Sequence, residues 1–225
     1  MKAIILAAGF GKRLSNQLPK CLIHLSGGKT IIGNQIEILK ANGIKEIIVV
    51  VGFKKEFIME EYPCVTYVYN RNYHITNTSK SLMAALESID PTDVIWLNGD
   101  VFLQSEVVER VVAVTGNIIA VNKDKCGREE VKYRTDPSGR ILRISKNILK
   151  AEGEAVGVNK IAKKDFARLL ESLRECDDHD YFEKAIELCI AKGVEFRAVD
   201  ISGYVCVEVD FKKDLEKIAS FGRGD

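Results

Sequence analysis

The run Leu6-Ala7-Ala8-Gly9-Phe10-Gly11-Lys12-Arg13-Leu14 is soon followed by Pro19-Lys20-Cys21-Leu22. Small residues let a backbone approach phosphate oxygens and aim its N–H groups at them. Lys12, Arg13 and Lys20 add cationic charge where a polyphosphate would lie. Two familiar phosphate-binding patterns fail on spacing. A P-loop needs glycine where Leu6 stands and Ser or Thr where Arg13 stands. A dinucleotide-binding turn needs glycine at position 14, which is leucine, and an acid after the second strand, where Val51-Gly52 stands. An ordinary tight turn would explain Gly9 and Gly11, but not the cations beside them.

Acids come later in the chain. Asp93-Val94-Ile95-Trp96-Leu97-Asn98-Gly99-Asp100 ends an apolar strand in an acid preceded by glycine. Ligands of open α/β sheets gather beyond the carboxyl ends of the strands. Asp100 is therefore placed to meet Mg²⁺ and phosphates, and its hard oxygen suits that metal; capping of the next segment is the alternative. Val205-Cys206-Val207-Glu208-Val209-Asp210 alternates, which puts Glu208 and Asp210 on one face. Between residues 70 and 82, Asn70, Asn72, Asn77, Thr78, Ser79 and Ser81 could read a base edge beside a helix start, or form a capped polar loop. Asp177-Asp178-His179-Asp180-Tyr181 could attract a cationic group, or be a solvated helix entrance. His24, His74 and His179 have no metal-ligand spacing.

The elements that must position these residues alternate between strand and helix patterns. Strands are expected over residues 2–7, 46–51, 65–69, 93–98 and 117–121, and helices over 30–42, 54–61, 79–88 and 105–114, with Ser79 and Ser105 as caps. That alternation predicts a wound α/β architecture around a five-stranded, mostly parallel sheet. The pattern then changes. Residues 131–135 and 141–145 flank Asp136-Pro137-Ser138-Gly139, the composition of a hairpin turn. An extended segment over 155–161, helices over 164–174 and 181–192, strands over 195–200 and 205–209 and a helix over 211–219 complete the chain, with residues 222–225 expected to fray. No repeat or linker divides the 225 residues, so one domain is expected over 1–225, with a nucleotide-binding half (1–122) and an acceptor-binding, metal-completing half (123–225).

Composition bounds the partners. A 46% hydrophobic content supports a sizeable core, and a formal net charge of +1 gives no global field for nucleic acid or an anionic membrane. The N-terminal apolar run is too short to span a bilayer and its basic flank is a single Lys2, so neither a signal peptide nor a membrane span is expected. Six scattered cysteines without C-x-x-C spacing suit a reducing cytoplasmic setting.

The motif Leu-Ala-Ala-Gly-x-Gly-x-Arg followed by Pro-Lys, at residues 6–13 and 19–20, resembles the signature of the sugar-phosphate and alcohol-phosphate nucleotidyltransferases. The resemblance covers nearly the whole chain. It implies a Rossmann-like three-layer α/β/α sandwich with a mixed, mostly parallel sheet, the glycosyltransferase-A-like nucleotidyltransferase fold. It also implies transfer of a nucleotidyl group from an NTP to a phosphorylated acceptor, with pyrophosphate released. On that pattern Leu6, Ala7, Ala8, Gly9, Phe10, Gly11, Lys12 and Gly99 would hold the nucleotide, and Arg13 and Lys20 would act on its phosphates. Asp100 and Asp210 would hold Mg²⁺, the latter closing a segment like the family's Trp-x-Asp/Glu-x-Asp, with Cys206 in the tryptophan position. The segment from Asn70 to Leu82 looks like that of CTP-using members, which implies that Asn77, Ser79 and Ser81 help to read cytosine. Lys146 matches the lysine that grips the acceptor phosphate and assists transfer. Glu154 matches the acceptor-pocket segment, and Asp180 and Tyr181 are the further acceptor-side residues.

The short segment 14–18 tilts the acceptor away from hexose phosphates. The expected partners are CTP, or another NTP, and phosphocholine, an aminoalkylphosphonate, or a polyol or sugar phosphate, used by a monomer or homodimer. A sugar-1-phosphate enzyme using UTP, GTP or dTTP, a glycosyltransferase and a silent nucleotide sensor are the alternatives.

Overall fold

The structure is a computed structural model that describes residues 1–10, 18–123, 127 and 130–221. The first strand, β1 (Lys2–Ala7), is apolar along its whole length because both of its faces are covered. It pairs in parallel with β2 (Glu46–Val51) on one side and β4 (Val94–Asn98) on the other, and β3 (Thr66–Tyr69) extends the sheet beyond β2. Between these strands run α1 (Ile31–Ala41), α2 (Lys55–Glu61) and α3 (Thr78–Glu87). Alternate residues of β1 feed two cores. Ile4 and Leu6 pack with Leu82 and Trp96 on one side, while Ala3 and Ile5 pack with Ile36, Leu39 and Val107 on the other.

After β4 come a short strand β5 (Val101–Leu103), α4 (Ser105–Ala113) and β6 (Asn117–Asn122). The hairpin of β7 (Lys132–Thr135) and β8 (Ile141–Ser145) follows, then β9 (Gly153–Ile161), α5 (Phe166–Glu175), α6 (Phe182–Ala191), β10 (Phe196–Asp200), β11 (Cys206–Glu208) and α7 (Lys212–Phe221). Asp136 fixes the hairpin turn by accepting from the N–H groups of Ser138 and Arg140. Helices α3, α5 and α6 cover one face of the sheet, and α1 and α4 cover the other. The expected three-layer sandwich is what forms.

Two expectations are corrected. The sheet is mixed and mostly parallel, but it is larger than the five strands expected: its order is β10-β6-β9-β4-β1-β2-β3, and β9 lies antiparallel between β4 and β6. Hydrophobic patterning marks a strand as buried without naming its neighbours, so the place of β9 leaves no local trace. The serine caps also move. Asn77 caps α3, its Oδ1 accepting from the Thr78 N–H, and Gln104 precedes α4, where Ser105 is already helical. Ser79 lies on the stripe with Leu82 and Leu86 that faces the sheet.

Candidate active site

A cleft opens at the carboxyl ends of β1 and β4. Leu6, Ala7, Gly9, Lys20, Asn77, Thr78, Asn98, Gly99, Asp100, Tyr181 and Glu208 are among the residues that line it. Its floor depends on a close crossing: the Gly99 N–H donates to the Leu6 carbonyl at 2.9 Å, and a Cβ on Gly99 would stand 2.7 Å from that oxygen. Only glycine lets the turn that carries Asp100 pass so near the exit of β1. Gln35, fully buried on α1, clamps the same turn by donating through Nε2 to the carbonyls of Asn98 and Val101, at 2.8 and 2.7 Å.

The acids are brought together by a second, two-stranded sheet. β11 pairs antiparallel with β5, with Glu208 opposite Val101, and the Val209 N–H donates to the Asp100 carbonyl. Asp100 enters one strand and Asp210 leaves the other, so the ladder sets them side by side. Carboxylate oxygens of Asp100, Glu208 and Asp210 lie within 4.8 Å of one another. Lys20 is delivered by a 3-10 turn whose Cys21 and Leu22 are buried, and its Nζ lies 2.7 Å from Asp100 and 2.6 Å from Asp210. Burial opposes the Lys20 charge, but Asp100 and Asp210 outweigh it and hold the ammonium above its ordinary pKa. Glu208 is exposed to the cleft, yet protein packed around its carboxyl, with the charges of Asp100 and Asp210, pushes it up to about 7. Three hard oxygen donors at this spacing fit Mg²⁺, and a divalent cation would relieve their mutual repulsion.

The remaining expected residues divide. Leu6, Ala7, Gly9, Asn77 and Gly99 line the cleft. Ala8 and Phe10 support it from behind: the Ala8 carbonyl accepts from the Phe53 N–H, and the Phe10 ring packs 5.1 Å from Phe53 and 5.2 Å from Tyr73. Gly11, Lys12 and Arg13 lie outside the described residues. Ser79 and Ser81 are not among the residues that line the cleft. Both are buried, Ser81 accepting from Asn70 Nδ2, because helical periodicity turns this side of α3 to the sheet and not to the cleft. Asn77 spends its side chain on the helix start and on the His179 carbonyl, to which Nδ2 donates at 3.3 Å.

Of the residues expected to meet an acceptor, the Lys146 ammonium lies 4.7 Å from the centroid of the Tyr181 ring. Glu154 stands on β9 opposite Lys132 of β7 and Asn122 of β6, and its charge reaches the half-buried Cys206 thiol. The Asp180 carboxylate is turned away to accept from the Asp177 N–H, so this acid serves the helix entrance, while the next residue, Tyr181, reaches the cleft. Sequence reasoning missed Gln35, whose amide sits among apolar α1 positions, and Glu183, which reads as a routine first-turn acid of α6.

Residues 3–180 match the family model described as the MobA-like NTP transferase domain. CTP:phosphoglutamine cytidylyltransferase of Campylobacter jejuni is 26% identical over 96% of this chain and 98% of its own length. CMP-5'-(3-aminopropyl)phosphonate synthase of Streptomyces rubellomurinus is 29% identical over 93% of this chain but 37% of its own, so this chain spans little more than a third of that relative. The solved CTP:phosphocholine cytidylyltransferase of Streptococcus pneumoniae superposes with a TM-score of 0.81 over 99% of both chains at 23% identity, a likeness of fold.

Proposed function

Because the chain belongs to the MobA-like NTP transferase family, we propose that its cleft transfers a cytidylyl group from CTP to a small phosphorylated acceptor. The carrying observation is the convergence of Lys20, Asp100 and Asp210 at the carboxyl ends of β1 and β4. Relatives whose names specify CTP or CMP and phosphorylated or phosphonate acceptors support the choice of nucleotide and acceptor class.

In this reading an oxygen of the acceptor phosphate attacks the α-phosphorus of CTP. A new P–O bond forms, the bond to the α–β bridging oxygen breaks, and pyrophosphate leaves with that electron pair. The protein contributes alignment and charge, as phosphoryl-type transfers require. Lys20 moves from its carboxylates to the α-phosphate, and Arg13 offsets charge on the β- and γ-phosphates. The exit of β1 and Gly99 present backbone to the nucleotide, and Lys146 holds the acceptor phosphate. Asp100 and Asp210, with Glu208 beside them, would hold Mg²⁺, which would supply neutralisation of the phosphate charge. Free thiols at Cys21, Cys64, Cys176, Cys189 and Cys206, and the absence among the described residues of a helix long and apolar enough to cross a membrane, support a cytoplasmic setting.

The test is a matrix of the four NTPs against phosphocholine, 2-aminoethylphosphonate, inositol phosphate and glucose 1-phosphate, read as pyrophosphate. CTP with an alcohol phosphate or phosphonate should give the highest rate. A preference for UTP, GTP or dTTP with the sugar phosphate would replace this reading by a sugar-nucleotide one.

A further inference from the structure

Lys20 reaches the acids of the cleft from a fixed base. Its backbone forms the 3-10 turn Lys20–Leu22, where the Leu22 N–H donates to the Pro19 carbonyl at 2.9 Å and the Ile23 N–H to the Lys20 carbonyl at 3.1 Å. Cys21 and Leu22 anchor that turn in the core shared by α1 and β1. Movement of the ammonium is therefore left to the side chain, of which 11% is exposed. The ammonium donates to Asp100 Oδ2 at 2.7 Å and to Asp210 Oδ1 at 2.6 Å. Glu208, the third acid of the cluster, takes neither bond.

The same two carboxylates are the donors that a divalent cation would need. An ammonium hydrogen-bonded to both stands on those oxygens, and two cations crowded among three acids would repel each other across a cleft of low dielectric. Lys20 does not leave them without cost. A part-buried ammonium stripped of its carboxylates, with no anion to receive it, is an unpaired charge. Room for such an anion lies next to it. Ala7, Gly9 and Gly99 line the cleft with Lys20, and their small side chains leave space for a phosphate group within its reach.

On the reading of the cleft as a nucleotidyl-transfer site, we propose that Lys20 is a latch on the metal site: its ammonium keeps Asp100 and Asp210 from a divalent cation until a nucleotide phosphate draws it away. No covalent bond changes in this exchange; one cation replaces another between the same two acids. Metal and nucleotide then bind with positive cooperativity, each raising the affinity of the other by the same factor.

The experiment measures Mn²⁺ binding, through the electron paramagnetic resonance signal of the free ion, to the full-length wild type, Lys20→Met and Lys20→Gln. Folding of each is checked by circular dichroism. Each protein is titrated alone, with cytidine, and with CMP, which adds a single phosphate. Alone, the wild type should bind Mn²⁺ about 10- to 100-fold more weakly than either variant, the span of an ordinary coupling between sites. CMP should tighten Mn²⁺ binding to the wild type by a similar factor and change the variants far less. Cytidine, which lacks the phosphate, should change none of them. Equal Mn²⁺ affinity in the wild type and a folded variant overturns the proposal, as does a CMP effect of equal size in all three, or Mn²⁺ binding by none of them. Should neither variant fold, the wild type decides: tightening by CMP alone supports the latch, and CMP and cytidine acting alike overturn it. Pyrophosphate release from CTP is assayed separately. Its absence with every acceptor would remove the transfer reading, while the Mn²⁺ titrations would still decide the latch.

Discussion

Lys20 sets its ammonium between Asp100 and Asp210, and the Glu208 carboxylate stands beside those two acids. Replacing Lys20 with methionine removes the cation that the fold sets against three carboxylates. Lys20→Met should therefore melt at lower temperature than wild type in EDTA and recover part of the difference in Mg²⁺. Its kcat should fall by about 10²–10³, the usual cost of one group that stabilises developing charge. Equal melting of the two proteins in EDTA would show that the pair contributes nothing to the fold. Glu183 gives a second prediction at this scale. Burial pushes its carboxyl up to about 7 from an ordinary 4.5, opposed by its own N–H and by Lys146. The protonated form is favoured in the fold, so its stabilising contribution is complete below about 4.5 and is lost as pH rises through about 7. Urea midpoints measured across that window should fall more steeply in wild type than in Glu183→Gln; parallel curves would contradict the assignment. Lys20 and the acids were legible in sequence because charge beside glycine after an apolar strand has few structural explanations. Glu183 was not, since an acid in a first helical turn is ordinary and only its burial sets it apart.

The elements place these residues through two close approaches that leave little trace in a single sequence. Gly99 lies against the Leu6 carbonyl, where an added Cβ would stand at 2.7 Å, and Gln35 clamps the carbonyls on either side of the Gly99-Asp100 turn. Gly99→Ala should push Asp100 away from β1, costing about 1–3 kcal/mol of stability as overpacked sites do. It should also lower kcat more than it raises KM for CTP. Gln35→Leu removes the donor that Nε2 gives to two carbonyls and should cost about 1–3 kcal/mol. A melting shift within error for both variants would mean that the turn is held by other contacts. The strands β1, β2 and β4 were readable from their unbroken apolar runs. The structure places Ser79 and Ser81, expected to read a base, away from the cleft wall at this same scale. Polar residue type suggested a ligand surface, but helical phase buries both side chains toward the sheet.

At the scale of the whole molecule, the two expected halves share one sheet. β9, from the second half, lies between β4 and β6 of the first, and β10 closes the far edge beside β6. A chain ending at residue 122 would leave both flanking strands without their partner, so the expected halves should not unfold separately. Chemical denaturation followed by tryptophan fluorescence, from Trp96 in the sheet, and by far-ultraviolet circular dichroism should give coincident single transitions. Two separated transitions would show independent units. The wound α/β class was legible from alternating strand and helix patterns, whereas the insertion of β9 depends on long-range pairing that no local pattern encodes. That insertion also begins the route from the sheet to β11, which returns to β5 and sets Asp210 beside Asp100. In the proposed reaction these two acids and Lys20 form a metal-assisted transfer site for CTP. Its most direct test is Asp100→Asn, assayed for pyrophosphate release with CTP, Mg²⁺ and the best acceptor. The expected result is a folded protein whose turnover falls by about 10²–10³; a folded Asp100→Asn protein with wild-type turnover would rule out a role for this acid in transfer.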